Sequence, residues 1–303
     1  MSCRSFPRCQ YHRRVPIELT RCGAILVVCV GCNAVAGLDG LHFENQAASS
    51  VTTSGAGATA SSAGGSGGSA GQATGGMGGS TNPYVAEVMA DAPVAYWRLG
   101  EATGLMAADA TGNGYDGVYL GGATLGAPGA IPGDTAVSLD GIDGKVSMGD
   151  VLDFADGKPF TLEALVQPVV LPVPPVEYGI CGKRGSSPMG TQGFLLRVRD
   201  DGAPELRIWR DNVEDGVNAT QPLSIVDYTH VVGTFDGTTL RVYVDGLVAE
   251  EHPTALTLTD APTDFDIGHD AVSDYMHGSI DEVAVYDHAL SDQRVLAHFV
   301  ARQ

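Results

Sequence analysis

Residues 229–246 read THVVGTFDGTTLRVYVDG, and GSIDEVAVYD follows from Gly278. Two runs of alternating apolar residues flank Asp236-Gly237, the sequence form of a tight antiparallel hairpin. Asp245-Gly246 then ends the second strand. A chain built around such a hairpin must bury one face of each strand against a second layer, which restricts it to an all-β architecture.

The pattern continues through the segment after Tyr84. Leu162, Ala164 and Val166 alternate with Glu163, Leu165 and Gln167, and Leu240, Val242 and Val244 alternate with Arg241, Tyr243 and Asp245. Asp-Gly pairs begin at Asp116, Asp140, Asp143, Asp156, Asp201, Asp215, Asp236 and Asp245, and each signals a turn. Asp200-Asp201-Gly202 separates GFLLRVR from ELRIWR as a second hairpin. Helical spacing is confined mainly to the end, where Ser291 can cap a short helix with apolar Val295, Leu296 and Phe299. These signals predict a two-sheet antiparallel sandwich, of jelly-roll form, with a short C-terminal helix.

Composition divides the chain. Residues 46–82 contain only small, polar and Gly residues around one Val and one Met, with no charge and no aromatic, too little apolar surface to offset ordering entropy. We expect residues 33–82 to form a tether and residues 83–303 the folded domain. Beyond Asn82 there are 33 acidic against 12 basic residues, a net charge of −21, which disfavours nucleic acid as a partner. Five of the six cysteines lie before residue 33, leaving Cys181 alone in the domain without a disulfide or a metal-type spacing. Residues 1–32 place five Arg before the apolar run at 24–30, the order of a secretory signal too short to remain as a membrane span. Its ending, Val-Cys-Val-Gly-Cys, resembles the lipobox of bacterial lipoproteins, which implies lipidation of Cys32 and a location in the cell envelope.

The ordered set APVAYWRLGE, DATGNG, PGAI, AVSLDG, FTLEALVQP, HVVGTFDGTTLRVYVDG and GSIDEVAVYDHALS spans Ala92 to Ser291. It resembles the laminin-G-like, concanavalin-A-like jelly-roll domains of bacteria. One departure is Tyr228, near a position where that family usually carries Trp before the His. The resemblance implies a binding module and brings glycoside hydrolases into view as relatives.

Glycoside hydrolysis needs two carboxyl groups facing each other across the scissile bond, roughly 5 to 10 Å apart. The E-x-D-x-E strand of glucanases is absent. Asp264-Phe-Asp266 lacks a third acid, Asp281 and Glu282 are adjacent and so point apart, and Glu163 stands alone on its strand. There is no G-x-S-x-G elbow, and His230 sits between strand residues as a structural His would. Ca²⁺ is the more plausible chemistry. Asp109 and Asn113 share an early loop, and Asp281 shares strand parity with Val283 and Val285, which predicts an inward, partner-requiring carboxylate. A structural Ca²⁺ held by Asp109, Asn113 and Asp281 is the expectation, with an Asx-turn and backbone N–H bonds as the alternative. For a sugar ligand, Trp209, Tyr178 and Tyr275 are the candidate aromatic planes, Trp209 because it shares parity with Glu205 and Arg207. The sequence therefore predicts a non-catalytic envelope module for a glycan or an extracellular protein. The alternatives are a purely structural or adhesive lipoprotein and a divergent glycosidase.

Overall fold

The Asp236-Gly237 hairpin forms as predicted. In the computed structural model, which describes residues 82–188, 190–270 and 274–303, its two strands are Thr229–Phe235 and Thr239–Val244, paired antiparallel. The signal segment, the tether up to residue 81 and Cys32 lie outside the described residues.

In chain order the strands are β1 (Ala95–Trp97), β2 (Met106–Ala107), β3 (Gly117–Leu120), β4 (Thr124–Pro128), β5 (Thr135–Asp140), β6 (Lys145–Ser147), β7 (Phe160–Pro168) and β8 (Tyr178–Ser187). They continue as β9 (Gly190–Val198), β10 (Pro204–Arg210), β11 (Val213–Asn218), β12 (Thr229–Phe235), β13 (Thr239–Val244), β14 (Leu247–Pro253), β15 (Asp266–Ile267) and β16 (His277–Tyr286). The first sheet runs β14-β13-β12-β7-β16-β5-β4, with β1 added to β16, and the second runs β11-β10-β9-β8-β15-β6-β3-β2. Two antiparallel sheets face to face make the jelly-roll sandwich that the alternation called for.

Between the sheets lie Leu162, Ala164 and Val166 of β7, Leu196 and Val198 of β9, and Val283 and Val285 of β16, all buried. Phe154, Phe160, Phe194, Phe235 and Phe265 form a continuous chain of ring contacts through this core, and Trp97 stacks on Phe265 at 5.8 Å. Each such ring contributes roughly 1.5 to 3 kcal/mol through burial. Cys181 is part of the same core. Not every Asp-Gly pair is a turn. Asp215-Gly216 lies inside β11, where Gly216 sits opposite Arg207 and leaves the space that a side chain would take to the Arg207–Glu205 pair.

The first sheet is also buried on its outer face, because two helices cover it. Helix α2 (Asp292–Ala301) is capped by Ser291 as expected, but it buries Val295 and His298 while Leu296 is exposed. Helix α1 (Pro83–Ala90), which the periodicity did not suggest, starts with Asn82 accepting the Tyr84 N–H and Pro83 in the first turn. Tyr84 and Val88 of α1 pack with Val295 onto Leu165, Val232, Tyr243 and Tyr286.

At the centre of this second layer is Glu163, fully buried. Tyr84 and Tyr286 donate their hydroxyls to it at 2.9 and 2.8 Å. His230 Nε2 lies at 2.7 Å, and His298 Nδ1 lies 3.0 and 3.1 Å from its two oxygens. The other ring nitrogen of His298 meets Asp91 at 3.0 Å, and Arg294 donates to the same carboxylate at 2.7 Å.

Asp281 departs from the parity reading. Glu282 adopts φ +53° and the register of β16 against β7 shifts between Asp281 and Ala284. Asp281 therefore pairs with Leu165, an outer-face residue, while Val283 returns to the inner face. Its carboxylate is buried, but under the loop after β4, where it accepts the Ala130 N–H at 2.8 Å. A single bulge residue changed the face, a switch that alternation alone cannot reveal.

Candidate ligand-binding face

Among the described residues, no helix covers the outer face of the second sheet. Its side chains follow from register: Arg207 sits opposite Leu195, Leu195 opposite Gly182, Gly182 opposite Asp266, and Asp266 opposite Ser147. Two residues along the strands, Glu205 is opposite Arg197 and Trp209 is opposite Gly193, itself opposite Arg184. Residues that pair in register share a face, so charged side chains from β8, β9, β10 and β15 converge there.

They form a laced array. Arg197 Nε donates to Glu205 at 2.6 Å and its Nη1 pairs with Glu177. Arg207 reaches Glu205 at 2.7 Å and Glu214 at 2.6 Å. Arg184 lies 3.5 Å from Asp270. Lys145 Nζ and His269 Nδ1 reach the same oxygen of Asp266 at 2.8 and 3.0 Å. Burial alone would push the Asp266 carboxyl up, but the His269 and Lys145 donors hold it below its usual range, so it stays ionised.

Among the described residues, two buried polar atoms of this face have no hydrogen-bond partner: Arg184 Nε, a donor, and Asp266 Oδ1, an acceptor. They belong to adjacent strands, with Arg184 two residues along β8 from Gly182, the partner of Asp266. Leaving such groups unpaired costs roughly 1 to 3 kcal/mol each, more when charged. A ligand that offers both an acceptor and a donor removes that cost.

Of the three aromatic candidates, Trp209 is on the expected face but is not an open plane. It is 2% exposed. The Arg184 and Arg197 guanidinium groups lie 4.7 and 5.8 Å from its ring centre, and its N–H donates to Glu214 at 2.9 Å. Parity placed the ring correctly, and two long side chains from neighbouring strands fold over it. Tyr275 stacks on His269 at 4.3 Å, at the rim beside Asp266. Tyr178 packs into the core and takes no part. Arg184 and Arg197 were not singled out from sequence, Glu205 served only to set the face of Trp209, and Asp266 was weighed only as half of an acid pair with Asp264; for Arg197 and Glu205 the alternation of charges in LRVR and ELRIWR was the available signal.

The residues expected to hold Ca²⁺ do not fit it as a set. Asp109 Oδ1 accepts N–H groups from Tyr96 and Thr111 and the Thr111 hydroxyl, and its Oδ2 accepts the Tyr115 N–H. Its oxygens therefore face donors, as in the Asx-turn alternative, while Asn113 donates its amide N–H to the Val94 carbonyl at 3.0 Å and anchors the loop to the strand start. Among the three, Asp281 keeps a buried oxygen without a partner among the described residues. A further acidic group, Asp150, Asp153 and Asp260, surrounds the buried Lys183 ammonium at 2.7, 2.5 and 3.9 Å, so its positive charge is already present.

The acids with strongly raised pKa values do not form a cleft pair either. Burial, reinforced by the neighbouring Glu282 charge, pushes Asp281 up to about 8. Burial pushes Glu282 up to about 7 against hydrogen bonds from Tyr96 and Arg98. The two are adjacent in the chain, and neither borders a described pocket.

The fold has solved counterparts. Domain 4 of AbnA, a GH43 extracellular arabinanase from Geobacillus stearothermophilus, solved in complex with arabinotriose, superposes with a TM-score of 0.53 at 19% identity, covering 70% of this chain and 98% of that one. The binding domain of Paraclostridial Mosquitocidal Protein 1 gives 0.53 at 14% identity over 68% of this chain and 51% of that one. The receptor binding domain of botulinum neurotoxin D gives 0.51 at 13% identity over 69% and 52%. The chain thus spans about half the length of the two toxin chains. No curated protein matches it in sequence. A family model described as the concanavalin A-like lectin/glucanases superfamily matches residues 140–296, just over half of the 303 residues. The chain belongs to that superfamily, in its laminin-G type.

Proposed function

We propose that this protein is a non-catalytic, glycan-binding module of the cell envelope, and that the charged outer face of the second sheet takes the ligand. The observation that carries this reading is an unmet donor, Arg184 Nε, and an unmet acceptor, Asp266 Oδ1, on adjacent strands of one face that no described helix covers. A sugar hydroxyl donates and accepts, so neighbouring hydroxyls of one ring satisfy both. With Trp209 covered, recognition rests on hydrogen bonds from charged side chains, and Tyr275 at the rim offers the remaining aromatic surface. The arabinotriose complex of the similar arabinanase domain supports a saccharide as ligand class.

A glycan array followed by titration calorimetry tests this. Arg184→Met and Asp266→Asn each weaken binding about tenfold or more, the loss of one hydrogen bond to a charged group, measured well below the melting temperature of each variant so that loss of the site is separated from loss of the fold. Unaltered binding in both variants sinks the assignment of the face. Release of reducing ends from the bound glycan would favour the glycosidase alternative. For the envelope location, Cys32→Ser abolishes incorporation of radiolabelled palmitate; labelling that persists in the variant overturns Cys32 as the anchor.

A further inference from the structure

A second surface, built by the first sheet, has different chemistry. At one end of that sheet is a pocket of about 570 Å³, within the size range of ligand sites. Its polar wall includes Gln167 at the end of β7, Asp227 and Tyr228 before β12, Asp245 after β13 and Arg302 after α2, with Val226 at its edge. A hollow of about 320 Å³ shares Pro132 and Arg302 with it and runs on to Asn82 and Pro83. Together they make a groove that turns around Arg302.

The wall is held in place by its own contacts. The Tyr228 hydroxyl donates to the Pro128 carbonyl at 2.8 Å. Arg302 donates to the Tyr228 carbonyl at 2.8 Å, lies over the Phe299 ring at 5.0 Å and stands 3.9 Å from Asp245. Asp245 also accepts the His230 N–H at 3.1 Å. Arg302 and Asp245 therefore largely offset each other, which leaves Asp227 as the excess charge at an exposed position. Beside the pocket the exposed side chains are aliphatic: Ile225 and Val226 on one side, and Val169 and Val170 just beyond Gln167 on the other. Gln167 joins the two sides through a 2.6 Å bond to the Val226 carbonyl.

We infer that this groove docks an extended, basic and aliphatic peptide segment of a partner protein, with a Lys or Arg side chain placed against Asp227 and the Tyr228 ring. Three features favour that occupant. The groove carries a net negative charge on a domain of net charge −21, so a cationic side chain is complementary. Its rim is aliphatic, suited to the side chains that alternate with a basic residue along an extended peptide. Its two connected hollows suit a chain more than a single terminal group. No residue of the second sheet's charged face lines it, so it goes beyond the glycan site and is independent of it.

The experiment titrates the ¹⁵N-labelled domain with a blocked peptide of alternating Val and Lys, with the same peptide carrying Glu for Lys, and with neutral oligosaccharides. The Val-Lys peptide is expected to shift Tyr228, Thr229 and Arg302 amide signals saturably at millimolar concentration, and the Val-Glu peptide to leave them in place. Asp227→Asn weakens the Val-Lys peptide by about two- to fivefold, the loss of one partly exposed ion pair, and Tyr228→Ala weakens it further. Arg184→Met leaves peptide binding unchanged, while Asp227→Asn leaves glycan binding unchanged. Equal binding of both peptides, no saturable shift with either, no effect of Asp227→Asn, or an oligosaccharide occupying the groove in place of the peptide overturns the inference.

Discussion

Replacing Glu163 by Gln lowers the melting temperature of the domain by about 10 °C or more. The Glu163 carboxylate is the common acceptor for Tyr84 of α1, His298 of α2, His230 of β12 and Tyr286 of β16, all within 2.7 to 3.1 Å. His298 places one ring nitrogen on Glu163 and the other on Asp91, so both carry protons and the ring is an imidazolium. Burial works against that charge, but the Glu163 and Asp91 carboxylates outweigh it and raise the His298 pKa. Burial likewise works against the Glu163 charge, and the two histidines hold its pKa well below the carboxylate range. An amide at this position leaves a buried imidazolium with one anion instead of two, and removing a partner from a buried pair typically costs about 3 to 5 kcal/mol. The loss falls on the helices, because α1 and α2 meet the sheet at this point. Calorimetric scans of the wild type, Glu163→Gln, His298→Gln and the double variant check the account. The double variant should cost less than the sum of the two by about 0.5 to 3 kcal/mol. A change under about 2 °C in Glu163→Gln, or strict additivity, would show that packing rather than the network holds the helices.

This network also marks the limit of what the sequence discloses. The hairpins at Asp201-Gly202 and Asp236-Gly237 were legible because a turn and its flanking alternation are local, and so was the Ser291 cap. Glu163 read as a solitary acid because its partners stand 79, 67 and 135 residues away along the chain. Trp209 was assigned to the right face from Glu205 and Arg207 on its own strand, yet its covering comes from Arg184 and Arg197 on other strands. Those arginines, with Asp266, make the proposed ligand face, and only the register of β8, β9, β10 and β15 unites them. Asp281 was read as a buried carboxylate in need of a partner; it is buried with one oxygen unmet among the described residues, while its face was misread at the Glu282 bulge. Local chemistry was readable, whereas properties of a sheet face depend on which strands become neighbours.

Asp281→Asn raises the melting temperature at pH 8 and flattens its dependence on pH. The Asp281 carboxyl is buried, with one oxygen on the Ala130 N–H and the other unmet. Burial and the nearby Glu282 charge push its pKa up to about 8 from 3.8. Well below pH 4 the folded and unfolded chains both hold the proton, and this group contributes nothing to the pH dependence. As pH rises past the unfolded value the unfolded chain ionises while the folded one does not, so stability falls until about pH 8. Glu282, pushed up to about 7 by burial, acts in the same direction. His298, whose pKa is raised, adds to the trend: its contribution is complete below the unfolded histidine value and is lost as pH climbs through the folded one. Glu163, whose pKa is lowered, opposes it only on the acid side, gaining its effect above the unfolded glutamate value. Stability of the wild type should therefore peak at roughly pH 4 to 5 and decline toward pH 8 to 9. An Asn at 281 keeps an oxygen for Ala130 and carries no charge to desolvate, so it gains about 1 to 3 kcal/mol at pH 8 and progressively less toward pH 4.5. Melting curves of both proteins from pH 4.5 to 9, with and without added Ca²⁺, decide the matter. A loss of stability in Asp281→Asn at pH 8 that appears only with Ca²⁺ present would instead make Asp281 a cation ligand, and an unchanged pH profile would mean that the buried carboxyl is not what sets it.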